Sequence, residues 1–371
     1  MTARVYFVRA AIGSGRKNML QKIGDLFDAA DLSECIGDGD LTAIKIHFGE
    51  WGNDTYISPV WVREVTEQVR AAGGRPFLTD TNTLYSGMRH NGVDHLTVAA
   101  RHGFVPEVAG APVVIADGIT SQNWRTVGIG KKHFGEVKIA GDILDAGSMI
   151  VLSHVKGHGM AGFGGAIKNL AMGCAPAAGK KDQHQGLLPA IDGDICIGCA
   201  ACTRACPNGA LVEEEGEVHL TPSRCIGCGE CMTVCPTGAI DFDWEGGVVP
   251  FMEMMTEYAL GAVRGKEGRI GYINVLMNIT PDCDCCPWSD SAIVPDIGIL
   301  ASTDPVAIDA ASVDLVNAQR GIRGSRLLCG HEPGEDKFRG VAPCTDGMVQ
   351  IRYGEEIGLG EAAYELIEIG E

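Results

Sequence analysis

The sequence has few basic residues for its length, and this shortage limits what the protein can bind. Its 371 residues include 30 lysines and arginines against 48 aspartates and glutamates, a formal net charge of −18 at pH 7. Proteins that bind duplex nucleic acid neutralise phosphates with a basic face, and no such face is evident in this sequence. We therefore expect no nucleic-acid partner.

Long apolar runs are also missing from the sequence. No stretch reaches the roughly 18 apolar residues that a membrane-spanning helix needs, so we expect no membrane span. The N-terminal segment lacks the apolar core of a secretory signal peptide, and we therefore expect a cytoplasmic protein. Apart from one duplicated cysteine pattern, we find no internal repeat and no low-complexity linker.

Cysteine, by contrast, is frequent, and eight of the 15 cysteines form two copies of one pattern. Residues 196–207 and 225–236 each read C-x2-C-x2-C-x3-C-P, which is the bacterial run that binds 4Fe–4S clusters. In two-cluster ferredoxins the fourth cysteine of each run ligates the other cluster. The pattern therefore predicts two 4Fe–4S clusters. The ligands would be Cys196, Cys199, Cys202 and Cys235 for the first, and Cys206, Cys225, Cys228 and Cys231 for the second.

Zinc binding and plain packing are the alternatives for these thiols. A single C-x2-C pair could bind zinc, but two complete runs that each end in Cys-Pro exceed what either alternative requires. Gly198 and Gly227 lie inside the two loops, where the backbone has to approach inorganic sulfide closely. Between the runs, residues 209–220 predict two short strands that form a hairpin around Glu215 and Gly216.

The segment around these runs is especially acidic. From 185 to 247 it contains ten acidic residues and only two basic ones, Arg204 and Arg224. An acidic face can steer a basic electron-transfer partner, or it can simply keep the surface solvated. A redox protein partner and a small-molecule substrate are both candidate partners, and the oligomeric state is left open.

The rest of the chain alternates strands with helices, which is typical of an α/β fold with a mostly parallel sheet and flanking helices. The cysteine-rich segment interrupts this alternation. We therefore predict an α/β domain built from 1–184 and 247–371, with an inserted α+β two-cluster ferredoxin-like domain at 185–246. Strands are predicted at 3–9, 42–50, 75–81, 112–117, 149–155, 269–279 and 296–302. Helices are predicted at 15–30, 58–74, 88–103, 250–264, 304–321 and 360–369.

A glycine-rich segment follows the strand at 149–155. Residues 157–162 match the G-x-G-x-x-G of dinucleotide-binding sites, but no ordinary βαβ unit follows them. A more modest prediction is a phosphate or carboxylate site, because glycines and two lysines surround a helix start, where amides point outwards. The same glycines could instead serve only close packing and turns. The candidate anion- or cofactor-binding residues are Lys156, Gly162, Gly164, Gly165 and Lys168.

Residues 283–286 contain three thiols, more than packing requires. These thiols could ligate a third metal ion, or they could form a redox-active dithiol beside a cluster. Their spacing fits no standard zinc or 4Fe–4S run, and reduced buried thiols are the structural alternative. The residues that could take part are Cys174, His158, His184, Cys283, Cys285 and Cys286.

His47 and Glu50 lie at the end of a predicted strand. Open α/β sheets place their ligands at strand ends, so these two side chains could do acid–base work. A lone histidine is more often a hydrogen-bonded structural residue, and both interpretations are kept. Asp80 ends another predicted strand, where it could cap a helix or a turn.

Three segments resemble the domain of unknown function 362 family: KIHFGEWGN, SHVKGHGMAGFGGAIKNLAMGC and the stretch that begins CDCCPWSDSAIVPDIGI. Members of that family are often labelled Fe–S center proteins, and the resemblance extends over nearly the whole chain. It implies a cytoplasmic iron–sulfur protein of anaerobic or facultative organisms, without supplying a reaction. The site candidates that it implies are His47, Lys156, His158, Lys168, Cys174, Cys283 and Cys285.

Together these features favour a redox enzyme, in which two clusters exchange electrons with a second site in the α/β domain. Two alternatives stay open: an electron-transfer or cluster-carrier protein without its own catalysis, and a sensor that binds an anion at 157–168. The chain outside the cysteine-rich segment is larger than a supporting role requires, which favours the enzyme. The catalytic candidates are His47, His158, Lys168, Cys174, Cys283, Cys285 and Cys286.

Overall fold

Three strands of the chain have no polar face, which places them in the middle of a sheet. In the computed structural model, which describes residues 2–13, 15–242 and 247–370, every residue of Ser148–His154, Ile270–Leu276 and Gly298–Ser302 is buried. Strands that are buried on both faces need helices on both sides. These three strands are neighbours in an eight-stranded sheet.

The described residues form sixteen strands and thirteen α-helices, with two short 3-10 turns at Leu32–Cys35 and Pro222–Arg224. The strands are β1 (Ala3–Arg9), β2 (Leu41–Lys45), β3 (Arg75–Asp80), β4 (Val113–Ile115), β5 (Trp124–Gly128), β6 (Glu136–Ala140), β7 (Ser148–His154), β8 (Lys156–His158), β9 (Gly162–Gly164), β10 (Pro189–Ile191), β11 (Leu211–Glu214), β12 (Glu217–Leu220), β13 (Ile240–Phe242), β14 (Ile270–Leu276), β15 (Gly298–Ser302) and β16 (Tyr364–Glu368). The helices are α1 (Met19–Ala29), α2 (Pro59–Ala71), α3 (Gly92–Arg101), α4 (Pro106–Ala109), α5 (Gly141–Asp145), α6 (Ala166–Gly173), α7 (Ala177–Gln183), α8 (Ala201–Ala205), α9 (Glu230–Thr233), α10 (Val248–Val263), α11 (Pro305–Asn317), α12 (Lys337–Val341) and α13 (Met348–Glu356).

The large sheet has the strand order β16-β1-β15-β14-β7-β2-β3-β4. Neighbouring strands are parallel throughout, except that β15 runs antiparallel to both β1 and β14. The prediction of a mostly parallel sheet is therefore confirmed. Because β2, β3, β7 and β14 run in the same direction, their carboxyl ends meet at one edge of the sheet.

Two hydrophobic cores lie on opposite faces of this sheet. Along β7, Met149 and Val151 belong to one core, whereas Ile150 and Leu152 belong to the other. Helices α6, α10 and α11 cover the first face, and α1 and α2 cover the second. Side chains alternate across a strand, so this pattern produces three layers, with the predicted helices flanking the sheet.

The cysteine-rich segment has a small structure of its own. Its first strand, β10, pairs antiparallel with its last strand, β13, so the chain enters and leaves it side by side. The predicted hairpin forms between β11 and β12, with Glu215 and Gly216 both at positive φ in the turn. The boundary predicted at 246 lies outside the described residues. A separate core consists of Cys202, Leu211, Val218, Cys231 and Ile240.

The helix predicted at 360–369 is wrong. This segment forms β16, which pairs in parallel with β1 so that Leu366 lies opposite Val5. Its alanine, leucine and glutamate residues favour a helix when considered alone. The open edge of β1 presents unpaired amide and carbonyl groups, and pairing with them overrides that local preference.

The glycine-rich motif folds differently from a phosphate-binding loop. Residues 156–164 form the β8–β9 hairpin, in which Gly157 pairs with Phe163, and α6 begins only at Ala166. The first amides of α6 are already satisfied, because Ala166 and Ile167 donate to the carboxylate of Asp309 at 2.7 and 2.9 Å. The helix start that the sequence suggests as an anion site is therefore occupied by the chain's own carboxylate.

None of the described helices is long and apolar enough to span a membrane.

Replacing Asp309 with asparagine tests the role of this buried carboxylate. The side chain of Asn274 also donates to this carboxylate, at 2.7 Å. An asparagine at 309 would keep only one oxygen acceptor, and its NH2 group would face one of the donors. We expect Asp309→Asn to lower the free energy of unfolding by about 1–3 kcal/mol in a urea titration. Asp314→Asn, an exposed change on the same helix that keeps an oxygen acceptor for the hydroxyl of Tyr364, should cost less than about 1 kcal/mol. Equal losses in the two variants would contradict this role.

Candidate functional site

A cavity of about 150 Å³ lies at the edge of the sheet where β2, β3 and β7 end. Its lining includes His47 just after β2, Asp80 at the end of β3 and His154 at the end of β7. Open α/β sheets bind their ligands outside the carboxyl ends of their strands. The loop after β14 adds Cys283 and Cys285 to the same lining, and the cysteine-rich segment adds Cys228.

Three of the predicted site residues come together in this cavity. One ligand atom from each of His158, Cys283 and Cys285 lies within 4.8 Å of the other two. In the described parts of the chain, no other three histidine, cysteine or acidic side chains are close enough to hold one ion. Lys168 Nζ lies 3.6 Å from the Sγ of Cys283, so a cation accompanies the two thiols.

The approach of His158 to the two thiols depends on a glycine. The amide of Gly157 donates to the carbonyl oxygen of Thr280 at 2.8 Å, which fastens β8 to the loop after β14. A Cβ at position 157 would overlap the carbonyl oxygen of Pro281. The sequence motif therefore indicated a glycine that this site requires, but for a different reason. Gly157 allows two backbone segments to pack closely and does not form a phosphate-binding loop.

Backbone amides determine which nitrogen of His158 holds the proton. Its Nδ1 accepts hydrogen bonds from the amides of Met160 and Ala161, at 3.2 and 3.0 Å. Burial, assisted by Lys168, lowers the pKa of His158 well below its ordinary value, so the ring is neutral. A neutral imidazole that accepts at Nδ1 is a donor at Nε2. In this tautomer, His158 offers an N–H group to the cavity rather than a lone pair for a metal.

His47 has the same arrangement. Its Nδ1 accepts from the amide of Gly49 at 3.0 Å, so its Nε2 is also a donor when the ring is neutral. Burial, together with Arg89, lowers the pKa of His47 well below its ordinary value. His184 is the opposite case, because its Nδ1 donates to the carbonyl oxygen of Lys180 at 2.6 Å. Burial lowers the pKa of His184 to about 4, which leaves its Nε2 as an acceptor in the cavity wall.

Asp284, between the two cavity thiols, is the centre of a buried ion-pair network. Lys156 Nζ lies 2.7 Å from its carboxylate, and His154 Nδ1 lies 2.9 Å from it. Burial alone would raise the pKa of Asp284, but His154 and Lys156 outweigh burial and hold the pKa well below its ordinary value. The other ring nitrogen of His154 lies 2.9 Å from the carbonyl oxygen of Met277, so both ring nitrogens face oxygen acceptors.

A second buried network forms at the ends of β2 and β3. Asp80 lies 3.0 Å from Lys45 and 3.4 Å from Arg89, and Arg89 in turn lies 3.2 Å from Glu50. Burial would raise the pKa of Asp80, but Lys45 and the other nearby cations outweigh it and hold the pKa low. Glu50 is therefore engaged in an ion pair and does not line the cavity, which contradicts the acid–base role predicted for it.

The eight cysteines of the two runs gather around two small cavities. Each set combines three cysteines of one run with the fourth cysteine of the other, the same grouping that the motif predicts. The first cavity is lined by Cys196, Cys199, Cys202 and Cys235. The second cavity is lined by Cys206, Cys225, Cys228 and Cys231.

The two cysteine sets have similar surroundings. The amide of Ala210 donates to Cys206 Sγ at 3.1 Å, and the amide of Ala239 donates to Cys235 Sγ at 3.2 Å. The donor lies four residues after the cysteine in each case, so the two runs repeat in structure as they do in sequence. At Cys235, burial is outweighed by hydrogen bonds from Thr237 and from the amide of Ala239, which lower the pKa of the thiol.

The second cysteine set lies against the cavity at the strand ends. Cys228 lines both its own small cavity and the large one. The next residues fasten this contact: the carboxylate of Glu230 accepts from the amide of Ser86 at 3.1 Å. A Cβ at Gly227 would lie 2.8 Å from the carbonyl oxygen of His184. The two parts of the chain therefore pack too closely at this point for a residue larger than glycine.

Comparison with known proteins supports the resemblance seen in the sequence. Residues 42–314, most of the chain, match the model of the family described as Domain of unknown function (DUF362). The chain belongs to this family. No curated protein matches it.

One solved structure with some similarity to this DUF362 protein is the lactate racemase apoprotein from Thermoanaerobacterium thermosaccharolyticum. The two chains are 12% identical, with a TM-score of 0.36, over 74% of this chain and 51% of the racemase chain. The DUF362 protein thus spans about half the length of that structure.

Several predicted site residues of the DUF362 protein lie elsewhere. Cys174 is buried in the hydrophobic core at the end of α6, and burial raises its pKa to about 12. Gly162 packs against Gly347 and does not line the cavity, whereas Gly164 and Gly165 do. Cys286 also lies outside the cavity lining, next to Cys285.

Several cavity residues are missing from the sequence-based list, and what they share is that their partners are distant in the chain. The sequence signal that could have indicated such residues is a charged residue at the end of an apolar strand, as at Lys45 after TAI and Asp80 after PFLT. The missed residues are Lys45, Arg89, His154, Lys180 and Cys228 as a cavity residue.

Replacing Gly157 with alanine tests the close approach of the two loops. We expect Gly157→Ala to lower the free energy of unfolding by about 1–3 kcal/mol, because its methyl group overlaps a backbone carbonyl that cannot move freely. Gly159→Ala is the matched control, since a Cβ there meets nothing within 4 Å. Chemical unfolding should separate the two variants, and a neutral Gly157→Ala would contradict the packing argument.

Replacing Asp284 with asparagine tests the buried ion-pair network. The change leaves Lys156 and His154 without their carboxylate, so we expect a loss of about 3–5 kcal/mol in the free energy of unfolding at pH 7. The pKa of Asp284 is held below its ordinary value of about 3.9, so its charge contributes fully above that pH and is lost only as the pH falls further.

The loss in Asp284→Asn should therefore be fully present at pH 7, where this carboxylate is charged. The control is Asp290→Asn on the same loop, whose partly exposed carboxylate lies 4.0 Å from Arg326. It should cost no more than about 1 kcal/mol. A loss in Asp284→Asn no larger than that in Asp290→Asn would contradict the assignment.

Proposed function

We propose that this DUF362 protein is an iron–sulfur redox enzyme that binds two 4Fe–4S clusters and passes electrons between them and a substrate in the cavity at the strand ends. The observation that supports this most strongly is the position of Cys228. This side chain lines both the second cysteine cavity and the cavity that contains His158, Cys283 and Cys285.

The two cysteine sets fit the clusters. Each offers four thiols around a small cavity, in the grouping that two-cluster ferredoxins use. When bound, the clusters would supply one-electron transfer at a potential set by their surroundings. Cys199 of the first set is exposed, whereas Cys228 of the second set lies between the two parts of the chain. This order suits entry of electrons at the surface and delivery at the cavity.

Cys283 and Cys285 suit two-electron chemistry beside the second set. The hydrogen bond with Cys285 and burial raise the pKa of Cys283 well above its ordinary value, so it holds its proton at neutral pH. Contact with Cys286 and burial outweigh the opposite effect of Cys283 and raise the pKa of Cys285 to about 12. Reduction of the corresponding disulfide would take two electrons, one from each cluster, and two protons. The dithiol could then pass two electrons and two protons to a substrate and return to the disulfide.

A third metal ion at His158, Cys283 and Cys285 is the second candidate for this site. Two thiolates and an imidazole suit zinc, with a fourth position open to the cavity. Such an ion would require both thiols to lose their protons and His158 to give up its amide hydrogen bonds. The resting dithiol keeps both protons and leaves the hydrogen bonds of His158 in place, and we therefore favour it.

Metal analysis of the anaerobically purified protein tests the two-cluster proposal. We expect about eight iron atoms and eight sulfides per chain, the content of two 4Fe–4S clusters. Cys199→Ala and Cys228→Ala, matched positions in the two runs, should each reduce both values to about half. Iron near zero in the unaltered protein, or zinc in place of iron, would contradict the proposal.

Cys285→Ser separates an enzyme from a plain electron carrier. With the reduced methyl viologen radical as electron donor and a panel of small organic acceptors, we expect at least one acceptor to be reduced. In the variant the rate should fall at least tenfold while the iron content stays the same. A carrier without its own chemistry would transfer electrons equally well in both proteins, and that result would favour the carrier. Cys329→Ser, an exposed cysteine, is the control.

A further inference from the structure

The cavity at the strand ends is unusually rich in positive charge and hydrogen-bond donors for so acidic a protein. Asp80 is the only acidic side chain among its described lining residues, and it is paired with Lys45 and Arg89. The full set of cationic lining residues is Lys45, Arg89, Lys156, Lys168 and Lys180.

Two of these five cations have no carboxylate partner within ion-pair distance in the described part of the chain. Lys180 donates to three neutral oxygens, those of Thr81, Asn82 and Ala175, at 2.6 to 2.7 Å. Within the described part of the chain, the Nζ of Lys168 has one polar contact, the Sγ of Cys283 at 3.6 Å, and its side chain is only partly buried. Lys168 is therefore the cation that is free to contact a ligand.

The histidines add neutral donors to this positive charge. His158 and His47 both accept a backbone amide at Nδ1, so both present Nε2–H when neutral. Lys168 Nζ lies 3.6 Å from Cys283 Sγ, and a ligand atom of His158 lies within 4.8 Å of the same sulfur. Lys168 and His158 therefore flank one thiol. A charged donor and a neutral donor near the same thiol can each donate to one oxygen of a carboxylate.

The volume of the cavity limits the size of the ligand. A cavity of about 150 Å³ holds a molecule about the size of benzene. A dinucleotide cannot be enclosed in that space, and the glycine motif that first suggested one forms a hairpin instead. The apolar part of the wall, which includes Ile57, Leu152, Met172 and Phe251, suits the carbon portion of a small molecule.

We infer that the cavity binds a small organic acid, with its carboxylate between Lys168 and the Nε2–H group of His158 and its carbon portion towards Cys283 and Cys285. This inference rests on the proposed function in one respect, since the acid would be the substrate of the second site. Binding itself does not depend on electron transfer, so the two can fail separately.

Calorimetric titration of the anaerobic protein, with its clusters in place, tests this inference. The probes are butyrate, succinate and benzoate, with butyramide as the neutral counterpart of butyrate and inorganic phosphate as the competing oxyanion. We expect at least one carboxylate to bind and butyramide not to bind. Lys168→Met should raise the dissociation constant at least tenfold, and Lys168→Arg should keep it within about fivefold because the charge remains.

Lys181→Met is the matched control, because Lys181 is exposed on the following helix, and it should leave the dissociation constant unchanged. Three results would overturn the inference: no carboxylate binds, Lys168→Met binds as tightly as the unaltered protein, or phosphate binds and the carboxylates do not. A bound metal that is lost in Cys283→Ser would also overturn it, because His158 would then be a ligand and not a donor. Binding of a carboxylate together with failure of the Cys285→Ser test would retain the inference and count against the redox proposal.

Discussion

Two buried carboxylates, Asp284 and Asp80, are the constraint on which the site depends. A charge removed from water has to be paired, because the cost of desolvation exceeds what burial of nearby apolar groups returns. Lys156 and His154 therefore come to Asp284, and Lys45 and Arg89 come to Asp80. These pairs connect the ends of β2, β3 and β7 with the loop after β14, and the cavity is the space between them.

The sheet makes this convergence possible. Four parallel neighbours, β14, β7, β2 and β3, end at one edge, so polar side chains that follow buried apolar strands are concentrated there. The two hydrophobic cores hold the strands from both faces and leave this edge for chemistry. The same arrangement explains why cationic side chains are concentrated in one place although the chain as a whole is acidic.

The position of the cysteine-rich segment brings its second cysteine set to the cavity. Its entry and exit strands pair with each other, so it can be inserted without disturbing the sheet. Its second cysteine set contacts the cavity through Cys228, and Glu230 fastens it to the loop after β3 through Ser86. These two contacts hold the second cysteine set against the cavity.

The sequence by itself determined the features that depend on local pattern. The spacing within each run is local, and the exchange of the fourth cysteine between two such runs predicted that Cys196 groups with Cys235 and Cys206 with Cys225, as the two small cavities show. The alternation of apolar strands with helices determined the parallel sheet. Local propensity failed at 360–369, where pairing with an open strand edge overrode a helix-favouring composition.

Only the tertiary structure decided which polar residues work together. His158 and Cys283 are far apart in sequence, and they meet because Gly157 lets β8 pack against the loop after β14. The partner of Asp284 is likewise set by the order of strands, not by spacing, which is why Lys156 looked like an anion-binding residue and is an ion-pair partner. Cys174 shows the reverse error, since its position beside glycines suggested chemistry and its side chain fills the core. The physical reason is common to all three: burial and pairing of charge depend on which strands are neighbours, and that is a property of the folded chain.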